Sequence, residues 1–202
     1  MSELLIAHRL RRRTALGMAL ALTLGACSKS TEPPPAAQAP VAPVPPANAY
    51  DTVAAQGKGF TVGALMAANP VYVLFDPQCP HCGHLWQAAQ PLLDKVKFVW
   101  VPIAFNKGKS LPQAVALLQA ADPAAAMSAH EQSLLAGQGG MAASSDMPDA
   151  LAQAVKANTD LLVRLGVDSV PFIVGKNRRT GAVVSHNGAM DTAPLAQLLG
   201  VD

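Results

Sequence analysis

Charge is scarce in this 202-residue chain. Only 14% of its residues are Asp, Glu, Lys or Arg, against roughly 25% in an average soluble domain. That excludes the charge-rich class of disordered proteins. Aromatic residues are scarcer, at 4%, so the core must rest on aliphatic side chains and alanine. Three cysteines are too few for a small disulfide-stapled scaffold. No apolar run approaches the roughly 20 residues that cross a bilayer. What remains is a chain that is 50% hydrophobic, enough to bury a real core, with room for one ordinary domain and some extra sequence.

The small formal charge of +2 is unevenly placed. His8, Arg9, Arg11, Arg12 and Arg13 form a positive start. An apolar run follows through Leu24, about as long as the hydrophobic region of an export signal. Leu24-Gly25-Ala26-Cys27 then places small residues before a cysteine. This resembles the lipobox of bacterial lipoproteins, and the resemblance implies cleavage before Cys27 and lipidation of that residue. A plain secretory signal with an incidental cysteine is the alternative. Arg12-Arg13-Thr14-Ala15-Leu16 also loosely resembles a twin-arginine signal. Residues 1–26 carry four arginines against Glu3, so their removal turns +2 into −1. The basicity belongs to the leader, and no basic field is left to bind nucleic acid.

Residues 27–50 are expected to form a tether. Pro33-Pro34-Pro35, Pro40, Pro43 and Pro45-Pro46 favour extended polyproline-type geometry at about 3.1 Å per residue. One folded domain is expected over 51–202, with its first element between Asp51 and Pro70. Residues 71–75 and 96–103 are β-rich apolar runs and predict strands, with a helix over 79–95 between them. Further helices are expected over 111–121, 123–135 and 148–165. Asp122-Pro123 opens the second of these, and Gly166 ends the third. Residues 172–174 and 182–185 predict a hairpin, and 192–199 a final helix. The order is β-α-β, a helical insertion at about 106–160, then β-β-α: an α/β domain with a mixed sheet.

Chemistry is concentrated in Cys79-Pro80-His81-Cys82. The spacing allows the two sulfurs to pair across one helical turn. A cysteine at a helix start faces unpaired N–H groups and the positive end of the helix dipole, and both favour thiolate over thiol. Pro80 suits the first helical turn. His81 adds a neighbour that favours the thiolate when cationic. Stabilising the thiolate makes the corresponding disulfide a stronger oxidant. Cys82, one step inside the helix, is expected to be more buried and to act as the resolving thiol.

A strand, this tetrapeptide and a helix in a βαβ setting resemble the thioredoxin fold. The segment from Phe75 to Trp86 resembles the active-site stretch of the DsbC and DsbG branch of the bacterial Dsb thiol–disulfide interchange family. The Cys-Pro-His-Cys tetrapeptide itself is similar to that of DsbA. Ser169-Val170-Pro171-Phe172 resembles the family's cis-proline loop. The resemblance implies a cis Val170–Pro171 bond beside the cysteines and a Val170 backbone that holds a substrate strand. It implies a redox-active Cys79–Cys82 disulfide in place of any cofactor, and cysteine-containing exported proteins as substrates. It also implies a membrane redox partner for recycling. DsbC and DsbG carry an N-terminal dimerisation domain where this chain has the Pro/Ala-rich tether, so a membrane-tethered monomer facing the periplasm is expected.

Other readings of the same residues stay open. The cysteines could form an inert structural disulfide. They could also serve a metal-handling lipoprotein, with copper held by the same thiolates and by His81 or His84. No second Cys-x-x-Cys completes a closed zinc site. Gly83 after Cys82 excludes the haem-attachment motif, which needs histidine there. His130 and His186 read as structural or exposed. Asp76 and Gln78 either line the site or end the strand.

Overall fold

The computed structural model describes residues 43–106, 108–142 and 146–202. The expected signal segment, Cys27 and most of the tether therefore lie outside the described residues. The chain folds as β1 (Phe60–Gly63), β2 (Val71–Phe75), β3 (Lys97–Pro102), β4 (Phe172–Lys176) and β5 (Val183–Asn187). Its helices are α1 (Ala49–Gln56), α2 (Pro80–Ala89), α3 (Ser110–Gln119), α4 (Pro123–Leu135), α5 (Asp149–Arg164) and α6 (Thr192–Leu199). The strand order is β1-β3-β2-β4-β5. Only β2 and β3 run parallel, with Val71 opposite Phe98 and Phe75 opposite Pro102. The pairings β1–β3, β2–β4 and β4–β5 are antiparallel.

The central strand explains the layering. All five residues of β2 are buried, as a strand covered on both faces requires. Val71, Val73 and Phe75 join Leu85, Trp86, Met127, Leu195 and Leu199 in one core. The intervening Tyr72 and Leu74 point the other way, toward Tyr50, Val53, Leu161 and Leu162. The period of two thus sorts one strand between two cores, with α2 and α6 below the sheet and α1 and α5 above it. The few aromatics are concentrated rather than spread. Phe60–Phe75, Phe75–Trp100 and Trp86–Trp100 meet edge-on at centroid separations of 6.2, 5.5 and 5.0 Å, the geometry that ring quadrupoles favour.

Three expectations are corrected. The packed chain starts before Asp51: a short 3-10 turn at Pro46–Asn48 leads into α1, and Ala49 and Tyr50 are already buried. Tyr50 stacks edge-on against Tyr72 at 5.6 Å, so long-range contact rather than local periodicity recruits this segment. Strand β1 was not expected, because four residues between glycines show too little alternation. The helix expected to reach Lys95 stops at Ala89, and a 3-10 turn, Gln90–Leu92, follows. Pro91 supplies no N–H to continue the α-helical ladder. The Asp122 cap does form: its side chain accepts from the Ala125 N–H at 3.0 Å, satisfying one orphan donor of α4.

Candidate active site

Strand β2 ends at Phe75, and four residues later Cys79 caps α2 with extended backbone angles (φ −97°, ψ 111°) and Pro80 as the first helical residue. The turn between them is held by Asp76. This carboxylate is fully buried and accepts four hydrogen bonds. Oδ1 takes the Gln78 N–H at 2.8 Å and the Ser110 hydroxyl at 2.6 Å. Oδ2 takes the N–H groups of Phe105 and Asn106 at 2.7 and 2.9 Å. Asp76 therefore ties the Cys79 turn to the loop after β3 and to the start of α3. Of the two readings left open for it, lining the site or ending the strand, the second is incomplete: the side chain holds the turn that carries Cys79.

The two sulfurs sit in unlike surroundings. Both cysteines are free thiols; Cys79 is half-buried and Cys82 is buried. The Cys82 N–H reaches the Cys79 carbonyl at 2.9 Å, closing the first turn of α2. The Cys79 thiol is held down to about 6, chiefly by a hydrogen bond from the Cys82 side chain. Backbone N–H groups of Cys82 and His81 and the nearby His81 charge add to this, while partial burial opposes it. Burial pushes the Cys82 thiol well above its ordinary range, and the Cys79 sulfur beside it raises it further. At pH 7 Cys79 is therefore mainly thiolate, against a few per cent for an ordinary thiol.

Opposite Cys79 lies the segment before β4. The Val170–Pro171 bond is cis, and the Val170 carbonyl oxygen lies 3.5 Å from the Cys79 sulfur, within reach of its proton when the thiol is protonated. Pro171 is buried and Val170 partly so. The Pro171 carbonyl accepts from the Gly188 N–H at 2.8 Å. Gly188 has φ 94°, a left-handed angle that glycine adopts without a Cβ penalty. Of the residues singled out from the sequence, Cys79, Cys82 and the Val170–Pro171 pair meet here. Pro80 and His81 are exposed beside them, and His84 lies exposed one turn further along α2. Among the described residues, no group of three or more His, Cys, Asp or Glu side chains is placed to hold a metal ion.

Helices α3 and α4 also reach the site. Gln113, fully buried on α3, donates to the carbonyls of Gly139 and Met141 at 2.9 and 2.8 Å and accepts from Gln78. His130 is fully buried on α4. Its Nδ1 accepts the Met141 N–H at 3.1 Å, and its Nε2 lies 2.7 Å from the Pro77 carbonyl. An accepting Nδ1 leaves Nε2 to carry the proton and donate, so the ring is neutral. Burial pushes its pKa below the ordinary value. A group whose neutral form is favoured by folding stabilises the protein above its unfolded pKa, and that stability is lost as pH falls through the folded value. We expect the protection of the Met141 amide, its exchange rate relative to that of an unstructured amide at the same pH, to fall as pH is lowered from 7 to 5. Unchanged protection of that amide over this range would refute the tautomer assignment.

Glu131, beside His130, was not singled out by sequence reasoning. It is the only glutamate among the described residues, which is the one signal that could have marked it.

No protein-family model matches the chain. DsbG, the thiol:disulfide interchange protein of Pseudomonas aeruginosa, is 29% identical over 140 residues, which cover 68% of this chain and 54% of DsbG. The chain is homologous to DsbG. It spans about half the length of that relative. Among solved structures, the catalytic domain of Proteus mirabilis ScsC matches with a TM-score of 0.57 at 19% identity, over 75% of this chain and 95% of that one. Pseudomonas aeruginosa DsbA2 matches with a TM-score of 0.55 at 18% identity, over 70% of this chain and 95% of its own. The fold is thus the thioredoxin-like fold of the Dsb proteins.

Proposed function

We propose that the chain is a thiol–disulfide oxidoreductase that exchanges a Cys79–Cys82 disulfide with cysteines of substrate proteins. The observation that carries this reading is the asymmetry of the pair: a half-exposed, acidified Cys79 at the start of α2 and a buried, basic Cys82 one turn inside. Cys79 is the sulfur that forms the mixed disulfide with the substrate, and Cys82 resolves it. His81 and Pro80 support the thiolate, the first by charge and the second by opening the helix. The backbone beside the cis Val170–Pro171 bond receives the extended substrate chain. The redox group is the cysteine pair itself, and no further cofactor is required. The homology to DsbG supports the same reading.

We further propose that residues 1–26 direct export, that Cys27 carries a lipid, and that the Pro/Ala-rich segment tethers the catalytic domain to a membrane facing the periplasm. Its substrates are then cysteine-containing exported proteins, and a membrane redox protein restores the pair. No helix among the described residues is long and apolar enough to cross a membrane.

The test is the reduction potential of the pair, measured by equilibration in glutathione buffers. Thiolate stabilisation favours the reduced protein, so a value more oxidising than the roughly −270 mV of thioredoxin is expected. A pair that fails to equilibrate with glutathione in the folded protein would be structural, and the reading would be wrong.

A further inference from the structure

Strand β1 leads into a turn of unusual composition. The Ala67 N–H closes it on the Ala64 carbonyl at 2.8 Å, and the Ala64 N–H bonds the Val96 carbonyl at 3.0 Å. Leu65 and Met66 stand at its two corners, where glycine, proline, asparagine, aspartate or serine are the usual occupants. They are 62% and 97% exposed, and neither belongs to a hydrophobic core. Large apolar side chains held out together on a fixed turn mark an interaction surface.

The turn borders a cavity of about 200 Å³, which Ala67 and Ala68 line. Val71, Val96, Leu199 and Val201, all buried, give it an apolar wall. Lys95, Lys97, Lys176 and Arg178 line it as well, and no acidic side chain does. These are four of the nine Lys and Arg residues among the described residues. Their contacts are with neutral groups. Lys95 Nζ donates to the Val201 carbonyl at 3.3 Å, and Arg178 to the Lys95 carbonyl at 2.9 Å. Lys176 Nζ lies 4.7 Å above the Tyr50 ring. Among the described residues the ion pairs are Lys156–Asp160 and Arg179–Asp202, and neither involves these four. Asp202, which follows Val201, is taken up by Arg179 at 2.7 Å. The cavity therefore concentrates positive charge that the chain leaves uncompensated.

An apolar tip beside such a basic ring is what an interfacial anchor requires. The apolar side chains enter the acyl boundary, and the cations meet headgroup phosphates. The location agrees with this. Val71 opens β2 and Cys79 follows its end, so about 13 Å of strand separates the cavity from the active-site end of the sheet. The expected tether enters the fold just before α1, whose Tyr50 ring lies under Lys176. We propose that this pole of the domain docks on an anionic phospholipid surface, with Leu65 and Met66 inserted and the four cations on headgroup phosphates. A tether alone leaves the domain free to tumble, but it also holds the pole at high effective concentration near the lipid, so weak docking suffices. Docking then turns Cys79 away from the membrane, toward soluble exported substrates. This inference rests on the lipid tether proposed above.

The experiment is site-resolved amide hydrogen exchange on the full chain, produced in a bacterium, purified and placed on vesicles. Intact mass first reports whether Cys27 carries a lipid. Its absence would overturn the tether reading, yet exchange still reads the turn, whatever holds the chain to the vesicle. On vesicles of equal parts phosphatidylcholine and phosphatidylglycerol, exchange over residues 65–69 should slow by roughly fivefold or more relative to pure phosphatidylcholine. High salt should abolish the difference. Leu65→Ser with Met66→Ser, and separately Lys95→Gln with Lys97→Gln, should abolish it too, while reaction with glutathione disulfide keeps its wild-type rate. Equal exchange on the two kinds of vesicle, or slowing that survives in both double variants, would overturn the proposal. Slowing without vesicles as protein concentration rises would make this pole a contact between copies of the chain, and would overturn it as well.

Discussion

Serine in place of Cys82 should turn the protein into a trap. Cys79 still attacks a substrate disulfide, because its thiolate depends on the helix start, the backbone N–H groups and His81 as well as on Cys82. The mixed disulfide that forms cannot be resolved, since a serine hydroxyl at neutral pH does not displace sulfur. Stable adducts should accumulate on non-reducing gels and collapse on addition of dithiothreitol. Serine in place of Cys79 should give no such adducts, and turnover should fall by roughly a thousandfold or more. Buried Cys82, pushed well above its ordinary pKa, supplies almost no thiolate at pH 7 to replace it. Equal adduct yields from the two variants would contradict the assigned order of attack.

Replacing Asp76 by alanine should cost the most stability of any single change at the site. Four donors converge on that carboxylate: three backbone N–H groups and the Ser110 hydroxyl. Alanine leaves all four without their acceptor, the Ser110 hydroxyl in a buried place and the three N–H groups in partly buried ones. Each buried orphan costs about 1–3 kcal/mol before relaxation. The expected loss is about 3–5 kcal/mol, a large share of the 5–15 kcal/mol that holds a typical domain together. Asn at 76 keeps one oxygen but turns an amide toward donors, so it should fall between the two. Denaturant unfolding of the reduced protein, with midpoint and slope recorded, measures this directly. A loss below about 1 kcal/mol would mean that water replaces the carboxylate and that the turn does not depend on it.

The sequence by itself determined the order of elements around the motif and the motif's chemistry. A five-residue β-rich run, a breaking Asp-Pro and Cys-Pro-His-Cys place two thiols at a helix start, and those are local statements. The hairpin, the final helix and the Asp122 cap were legible for the same reason: each is settled by neighbours a few residues away. What the sequence could not show depends on contacts far along the chain. Helix α1 is held by Tyr50 against Tyr72 and by Val53 in the same core, and no periodicity within its eight residues announces that. Strand β1 exists because β3 offers it an edge.

The site divides in the same way. Val170–Pro171 could be marked only by resemblance, since most X–Pro bonds are trans; tertiary structure puts its carbonyl 3.5 Å from the Cys79 sulfur. Asp76 could be read from the sequence as lining the site or as ending the strand, and its four partners come from positions 78 to 110. Glu131 stands 48 residues beyond Gly83 in an alanine-rich helix with nothing local to mark it. Only the packing of α4 on α2 buries it, against Gly83 and without a hydrogen-bond partner, beside the cysteine pair. Local chemistry can be read from neighbouring residues because the backbone holds them at fixed distances. Burial and missing partners arise only when distant segments close around a group, so they are properties of the fold.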